Sequence, residues 1–190
     1  MSSETRLNAP NVLTLLRILA IPVVVFILLP PAGRAISFSR SAAAFFLFVA
    51  AAITDLFDGY IARRYHLVTT LGKLLDPLAD KLLVCAAMIM LIPPGRVPAW
   101  MAVIVVAREI GVTALRGMAS TEGVIISASN LGKAKTLLLN IGVAALILHY
   151  PFLGIPVHVV GMVFLSAGLV LTAWSGLDYF FRFVGEIFKR

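Results

Sequence analysis

Apolar runs of membrane length alternate with short polar breaks along almost the whole chain. A membrane-spanning helix needs about 20 mostly apolar residues, and six stretches meet that need. The first covers Val12–Leu29 and stops at Pro30-Pro31. The second begins near Ser41 and continues through Ala62. The third covers Leu74–Ile92 and is closed by Pro93-Pro94-Gly95. The fourth starts after Pro98 and reaches Met118, and the fifth covers Lys133–Tyr150 and is halted by Pro151. The sixth covers Pro156–Phe181. Proline punctuates the series because it lacks an N–H and clashes with the preceding helical turn. No strand-like alternation, low-complexity tract or internal repeat interrupts it. The expected fold class is all-α integral membrane, six transmembrane helices, with residues 1–190 as a single membrane-embedded domain. The opening SSETRLN suits a short interfacial helix lying on the membrane.

Composition agrees. The chain is 61% hydrophobic and 13% charged, against about half and about a quarter in soluble domains. Disorder is excluded. The net charge of +7 is distributed rather than tract-like, with no basic run interleaved with aromatics, so no nucleic-acid partner is expected. With six spans both termini lie on one side. Arg6, Arg63, Arg64, Lys73, Arg116, Lys133, Lys135, Arg182, Lys189 and Arg190 fall on that side, and Arg34, Arg40 and Arg96 on the other. Positive residues favour the cytoplasmic face, which puts the termini in the cytoplasm. Arg17, Lys81 and Arg108 lie within spans. No cleaved signal peptide is expected, since MSSETRLNAPN has no apolar core beside a small-residue site. Cys85, the single cysteine, reads as a small core hydrophobe.

Against this background residues 54–83, TDLFDGYIARRYHLVTTLGKLLDPLADKLL, stand out, because Asp55, Asp58, Asp76 and Asp80 are four of only nine acidic residues. Asp55 and Asp58 are three apart on one helix, and Asp76 and Asp80 are four apart on the next. Each spacing puts a pair on one helical face. Four carboxylates aimed at one point in a low-dielectric bundle repel and are costly to desolvate. Protonation relieves this, and a hard divalent cation relieves it better, since carboxylate oxygens suit magnesium or manganese. Gly59, Ala62 and Gly72 leave room for a ligand between the helices. Arg63, about a turn beyond Asp58, suits a phosphate. Together they suit a diphosphate. Arg64 reads as an interfacial anchor and His66 as a loop residue. A divalent-cation or proton-coupled transporter is the competing class, because carboxylates within spans often mark ion paths. Clustering toward one end beside an arginine argues against it, since transporters bind near the midplane.

The pattern Asp55-x2-Asp58-Gly59-x2-Ala62-Arg63-x8-Gly72-x3-Asp76-x3-Asp80 resembles the signature of the CDP-alcohol phosphotransferase family at every defined position. The resemblance implies a six-helix membrane fold, a homodimer, a two-metal site for Mg2+ or Mn2+, and transfer from a CDP-linked donor to an alcohol. It implies Asp55, Asp58 and Asp76 as metal ligands, with Asp80 both near the metals and the base that takes the acceptor's proton. It implies Asp58, Gly59, Ala62, Arg63 and Gly72 around the CDP moiety. The stretches NAPNVLTLLRILAIP (Asn8–Pro22), AREIGVTALRGMA (Ala107–Ala119), GKAKT (Gly132–Thr136) and LVLTAWSGLDYF (Leu169–Phe180) resemble family members that use CDP-diacylglycerol and sn-glycerol 3-phosphate. Inositol phosphate, serine or phosphatidylglycerol as acceptor are the within-family alternatives. The implied location is the bacterial inner membrane, with the site facing the cytoplasm.

A phosphorylated acceptor needs cations of its own. Arg108, Arg116, Lys133 and Lys135 are the candidates. Arg108 and Arg116 are eight apart, about two turns, and share a face. For the two lysines, anchoring at the cytoplasmic interface is an equal alternative. Glu109, next to Arg108, is expected to point elsewhere. Asn11, Thr14 and Arg17 on the first helix either line the nucleotide site or act as a cap and an anchor.

Overall fold

The computed structural model describes residues 9–30, 35–64, 70–121 and 130–187. Of these, the backbone alone is described for 9–11, 13, 55–64, 70–77, 80, 120–121, 130–131, 133 and 186–187. Six helices follow in order: α1 Ala9–Leu28, α2 Phe38–Arg64, α3 Thr70–Met90, α4 Ala99–Thr121, α5 Asn130–Leu148 and α6 Val157–Ile187. Each expected span corresponds to one helix, with ends displaced by a few residues. Among the described residues there is no strand, only an isolated bridge between Phe152 and Ile155. The proposed interfacial helix at SSETRLN lies outside the described residues.

The chain forms two compact units, Met1–Met90 and Leu91–Arg190. In the first, α1 packs on both α2 and α3, which meet each other far less. Val24, Leu28, Ala44, Phe48, Ala79, Leu83 and Ala87 are buried there. α1 and α2 run antiparallel, and polar bonds tie both ends of the pair. Arg17, 2% exposed, donates from Nε to the Ala51 carbonyl at 3.2 Å. Arg40 donates to the carbonyls of Phe26 and Leu29 at 3.1 and 2.8 Å, satisfying acceptors that the end of α1 leaves without helical partners. Arg17 is therefore a buried tie between helices.

In the second unit α6 packs against both α4 and α5, whereas α4 and α5 do not pack on each other among the described residues. The α5–α6 seam is built on glycine. A Cβ at Gly142 would stand 2.6 Å from the Leu165 nitrogen, and one at Gly161 would stand 2.8 Å from Leu146 Cγ. Only hydrogen side chains permit backbones this close. Between α5 and α6 the chain reverses through His149 and Leu153, both with positive φ (63° and 51°), and Gly154 at 77°. Arg96, 3% exposed, closes this end of the unit. It donates to the Ile147 carbonyl at 2.6 Å and lies over the Tyr150 ring at 5.7 Å. His149 and His158 meet Nδ1 to Nδ1 at 3.2 Å.

Among the described residues only α6, over Val157–Gly185, is by itself long and apolar enough to cross a membrane. The described apolar parts of α1, α2, α3 and α5 are shorter: Thr14–Leu28, Phe38–Thr54, Lys81–Met90 and Ala134–Leu148.

Candidate active site

The signature residues divide between two helices. Asp55, Asp58, Gly59, Ala62 and Arg63 occupy the C-terminal end of α2, and Gly72, Asp76 and Asp80 the N-terminal half of α3. Both backbones are helical through these positions, so the i, i+3 and i, i+4 spacings hold as helical spacings. Positions 65–69 alone separate the two helices. The side chains of all eight lie outside the described residues. The turn just before Asp55 is described: Thr54 Oγ1 donates back to the Ala50 carbonyl at 2.7 Å, and Ala51 receives Arg17. The donor chemistry of Asp55, Asp58, Asp76 and Asp80, all oxygen and all on two consecutive helices, fits a hard divalent cation.

The second unit holds a cation cluster whose side chains are described. Arg108 of α4 donates from Nη1 to Glu109 Oε1 at 3.0 Å and from Nη2 to Ser175 Oγ of α6 at 2.9 Å. Lys135 of α5 donates to the same Glu109 oxygen. All are largely buried: Lys135 is 5% and Ser175 4% exposed, and the Arg108 and Glu109 side chains are 14% and 11% exposed. Gly176 makes this possible, because a Cβ there would stand 3.0 Å from Arg108 Cγ. Ser175 Oγ in turn donates to the Thr172 carbonyl at 3.2 Å, which fixes its lone pair toward Arg108. Arg108 Nε is buried without a partner among the described residues. An orphaned buried donor of this kind costs about 1–3 kcal/mol and is a place for a ligand's acceptor. Among the described residues, two cations and one carboxylate give the cluster a formal charge of +1, suited to an anion.

Two expectations are corrected here. Glu109 does not point away; it joins Arg108 to Lys135. Lys135 is buried in that ion pair and is no interfacial anchor. Arg116 does share the α6-facing side with Arg108. Its guanidinium lies over the Tyr179 ring at 5.9 Å, one turn beyond Ser175, and the side chain is otherwise exposed. The Lys133 side chain lies outside the described residues. Sequence reading missed Ser175, Gly176 and Tyr179. The only signal for them was the WSGLDY stretch, in which a serine and a glycine interrupt an apolar run.

Comparison with known proteins shows the family. The family model for CDP-alcohol phosphatidyltransferase matches residues 7–174, and the chain belongs to that family. It is 41% identical over 185 residues to the CDP-diacylglycerol–glycerol-3-phosphate 3-phosphatidyltransferase of Bacillus subtilis (strain 168), covering 91% of this chain and 93% of that protein. It is 40% identical over 176 residues to the protein of the same name from Rickettsia bellii (strain RML369-C), covering 91% and 93%. A probable phosphatidylglycerophosphate synthase of Mycobacterium tuberculosis (strain H37Rv) is 39% identical over 183 residues, covering 95% and 83%.

Proposed function

We propose that this protein transfers the phosphatidyl group of CDP-diacylglycerol to sn-glycerol 3-phosphate, giving phosphatidylglycerophosphate and CMP. The observation that carries the reading is its 41% identity over nine-tenths of both chains to a relative of that name. The buried +1 cluster of Arg108, Glu109 and Lys135 supports an acceptor that bears a phosphate.

In this reading Asp55, Asp58, Asp76 and Asp80 hold magnesium or manganese, whose charge offsets that of the diphosphate. Asp58, Gly59, Ala62, Arg63 and Gly72 surround the CDP moiety. Asp80 takes the proton of the acceptor's primary hydroxyl, since an alcohol is a poor nucleophile at neutral pH. The freed oxygen attacks the β-phosphorus, and the bond to the CMP oxygen breaks. Arg108, Arg116, Lys133 and Lys135 take the acceptor's phosphate.

The protein acts in this reading as a homodimer in the bacterial cytoplasmic membrane. All six helices span it, with both termini and the site on the cytoplasmic side. Large apolar side chains exposed on several helices, among them Phe26, Phe46, Val103, Val163 and Trp174, support a lipid surround. Water would leave such a surface uncovered.

The test is CMP release by purified protein supplied with CDP-diacylglycerol, divalent metal and a panel of acceptors. Turnover with glycerol 3-phosphate is expected. Turnover with serine or inositol phosphate and none with glycerol 3-phosphate overturns the acceptor. Metal uptake into proteoliposomes without CMP release overturns the enzyme.

A further inference from the structure

Arg108 and Lys135 belong to α4 and α5, which do not pack on each other among the described residues. Each side chain nevertheless ends on the same atom, Glu109 Oε1. Without a carboxylate between them, two buried cations would repel. The carboxylate brings their donors to one point. The remaining edge of the guanidinium is held by Ser175 over Gly176, which leaves Nε buried and, among the described residues, unpartnered.

A buried ion pair is a weak source of stability, because desolvation consumes most of the Coulomb gain. Here it also links helices that, among the described residues, have no packed interface to reinforce. We propose that Glu109 is a positioning residue for the acceptor. It holds Arg108 and Lys135 in one preset arrangement, ready for the phosphate of glycerol 3-phosphate. This rests on the reading that these cations bind that phosphate. Preset donors lower the ordering cost of binding, so Glu109 acts on acceptor affinity and not on the CDP-lipid or the chemical step.

The experiment compares full-length wild type, Glu109→Gln and Glu109→Asp, each purified in detergent. KM for glycerol 3-phosphate, KM for CDP-diacylglycerol, kcat and the thermal unfolding midpoint are measured. Glu109→Gln is expected to raise the acceptor KM by about tenfold or more. The CDP-diacylglycerol KM and kcat should stay within about threefold, and Glu109→Asp should recover part of the loss by keeping the charge. Ser175→Ala releases the other edge of Arg108. It should raise the same KM selectively, and it decides the matter if Glu109→Gln does not fold. An unchanged acceptor KM overturns the proposal, and so does a lowered one, which would make Glu109 a competing anion. A joint fall in kcat, both affinities and the unfolding midpoint also overturns it, since that is the pattern of a structural tie. Wild-type turnover with glycerol 3-phosphate reports separately on the functional reading. If it is absent that reading fails; if it is present with a flat variant ratio, only the role of Glu109 fails.

Discussion

Gly142→Ala offers a direct test of the α5–α6 seam. The added methyl would stand 2.6 Å from the Leu165 nitrogen, 3.0 Å from the Leu165 Cα and 3.2 Å from the Gly161 carbonyl oxygen. All three are backbone atoms, so no side chain can rotate away. α5 and α6 must separate locally, and the neighbouring leucines Leu146 and Leu165, both fully buried, lose contact. Overpacking costs about 1–3 kcal/mol, and a clash with backbone alone takes the upper part of that range, about 2–3 kcal/mol. Alanine's better helix propensity returns up to about 1 kcal/mol, leaving a net loss of about 1–2 kcal/mol. For a chain of this size that corresponds to a fall of roughly 2–8 °C in the unfolding midpoint. Both tryptophans, Trp100 and Trp174, lie in the same unit as the seam, so intrinsic fluorescence during heating in detergent reports on it. Gly111→Ala is the control. A Cβ there meets nothing within 4 Å among the described residues, and the variant should match or exceed wild type. Gly168→Ala should fall between the two, because its nearest contact is the side chain of Leu139 at 2.9 Å. A Gly142→Ala protein as stable as wild type, or a Gly111→Ala protein equally damaged, refutes the close-packed seam.

The remaining predictions concern the site and pH. Asp80→Asn should lower kcat by about a hundredfold or more with an unchanged unfolding midpoint; a rate near wild type removes Asp80 as the base. Arg116→Ala should raise the glycerol 3-phosphate KM several-fold (about 1 kcal/mol for an exposed charged contact) and leave that for CDP-diacylglycerol alone; an unchanged acceptor KM removes it from the pocket. His149 is held below its ordinary pKa of 6.5, first by burial, then by the positive charges of Arg96 and His158. The unfolded chain therefore binds the proton more readily than the fold, so stability is full above about pH 6.5 and falls as pH drops below it. His149→Gln should flatten that fall in a midpoint-versus-pH series, and an unaltered slope would assign it to another group.

Much of this architecture is written locally. Proline at 30, 93, 98, 151 and 156 brackets the helices, and each bracket falls within a few residues of an observed end. The paired aspartates are legible for the same reason, since i, i+3 and i, i+4 spacing is a property of one helix. What the sequence hides is tertiary. Glu109 stands about 100° around α4 from Arg108 by helical geometry, which suggests a different direction. Its partner on α5 is 26 positions away, and no local pattern announces a side chain reaching that far. Gly142, Gly161 and Gly168 carry no motif spacing that marks them as contact points, and Gly176 gains its meaning only from Arg108 beside it. The pairing of His149 with His158 depends on a reversal made by two non-glycine residues with positive φ, which no composition rule foresees.

The arrangement around α6 has a consequence for biosynthesis. Among the described residues α4 and α5 each pack on α6 and not on each other, so the earlier two helices leave the ribosome before the helix on which both pack. The second unit acquires its core only when its final helix arrives. Until then Gly142 has no facing backbone, and Arg108 has neither Ser175 to hold it nor Gly176 to admit it. A stalled or shortened chain that lacks α6 would thus be unassembled rather than merely trimmed. In the order of synthesis, a helix made later than α4 admits Arg108 to its seat beside Glu109.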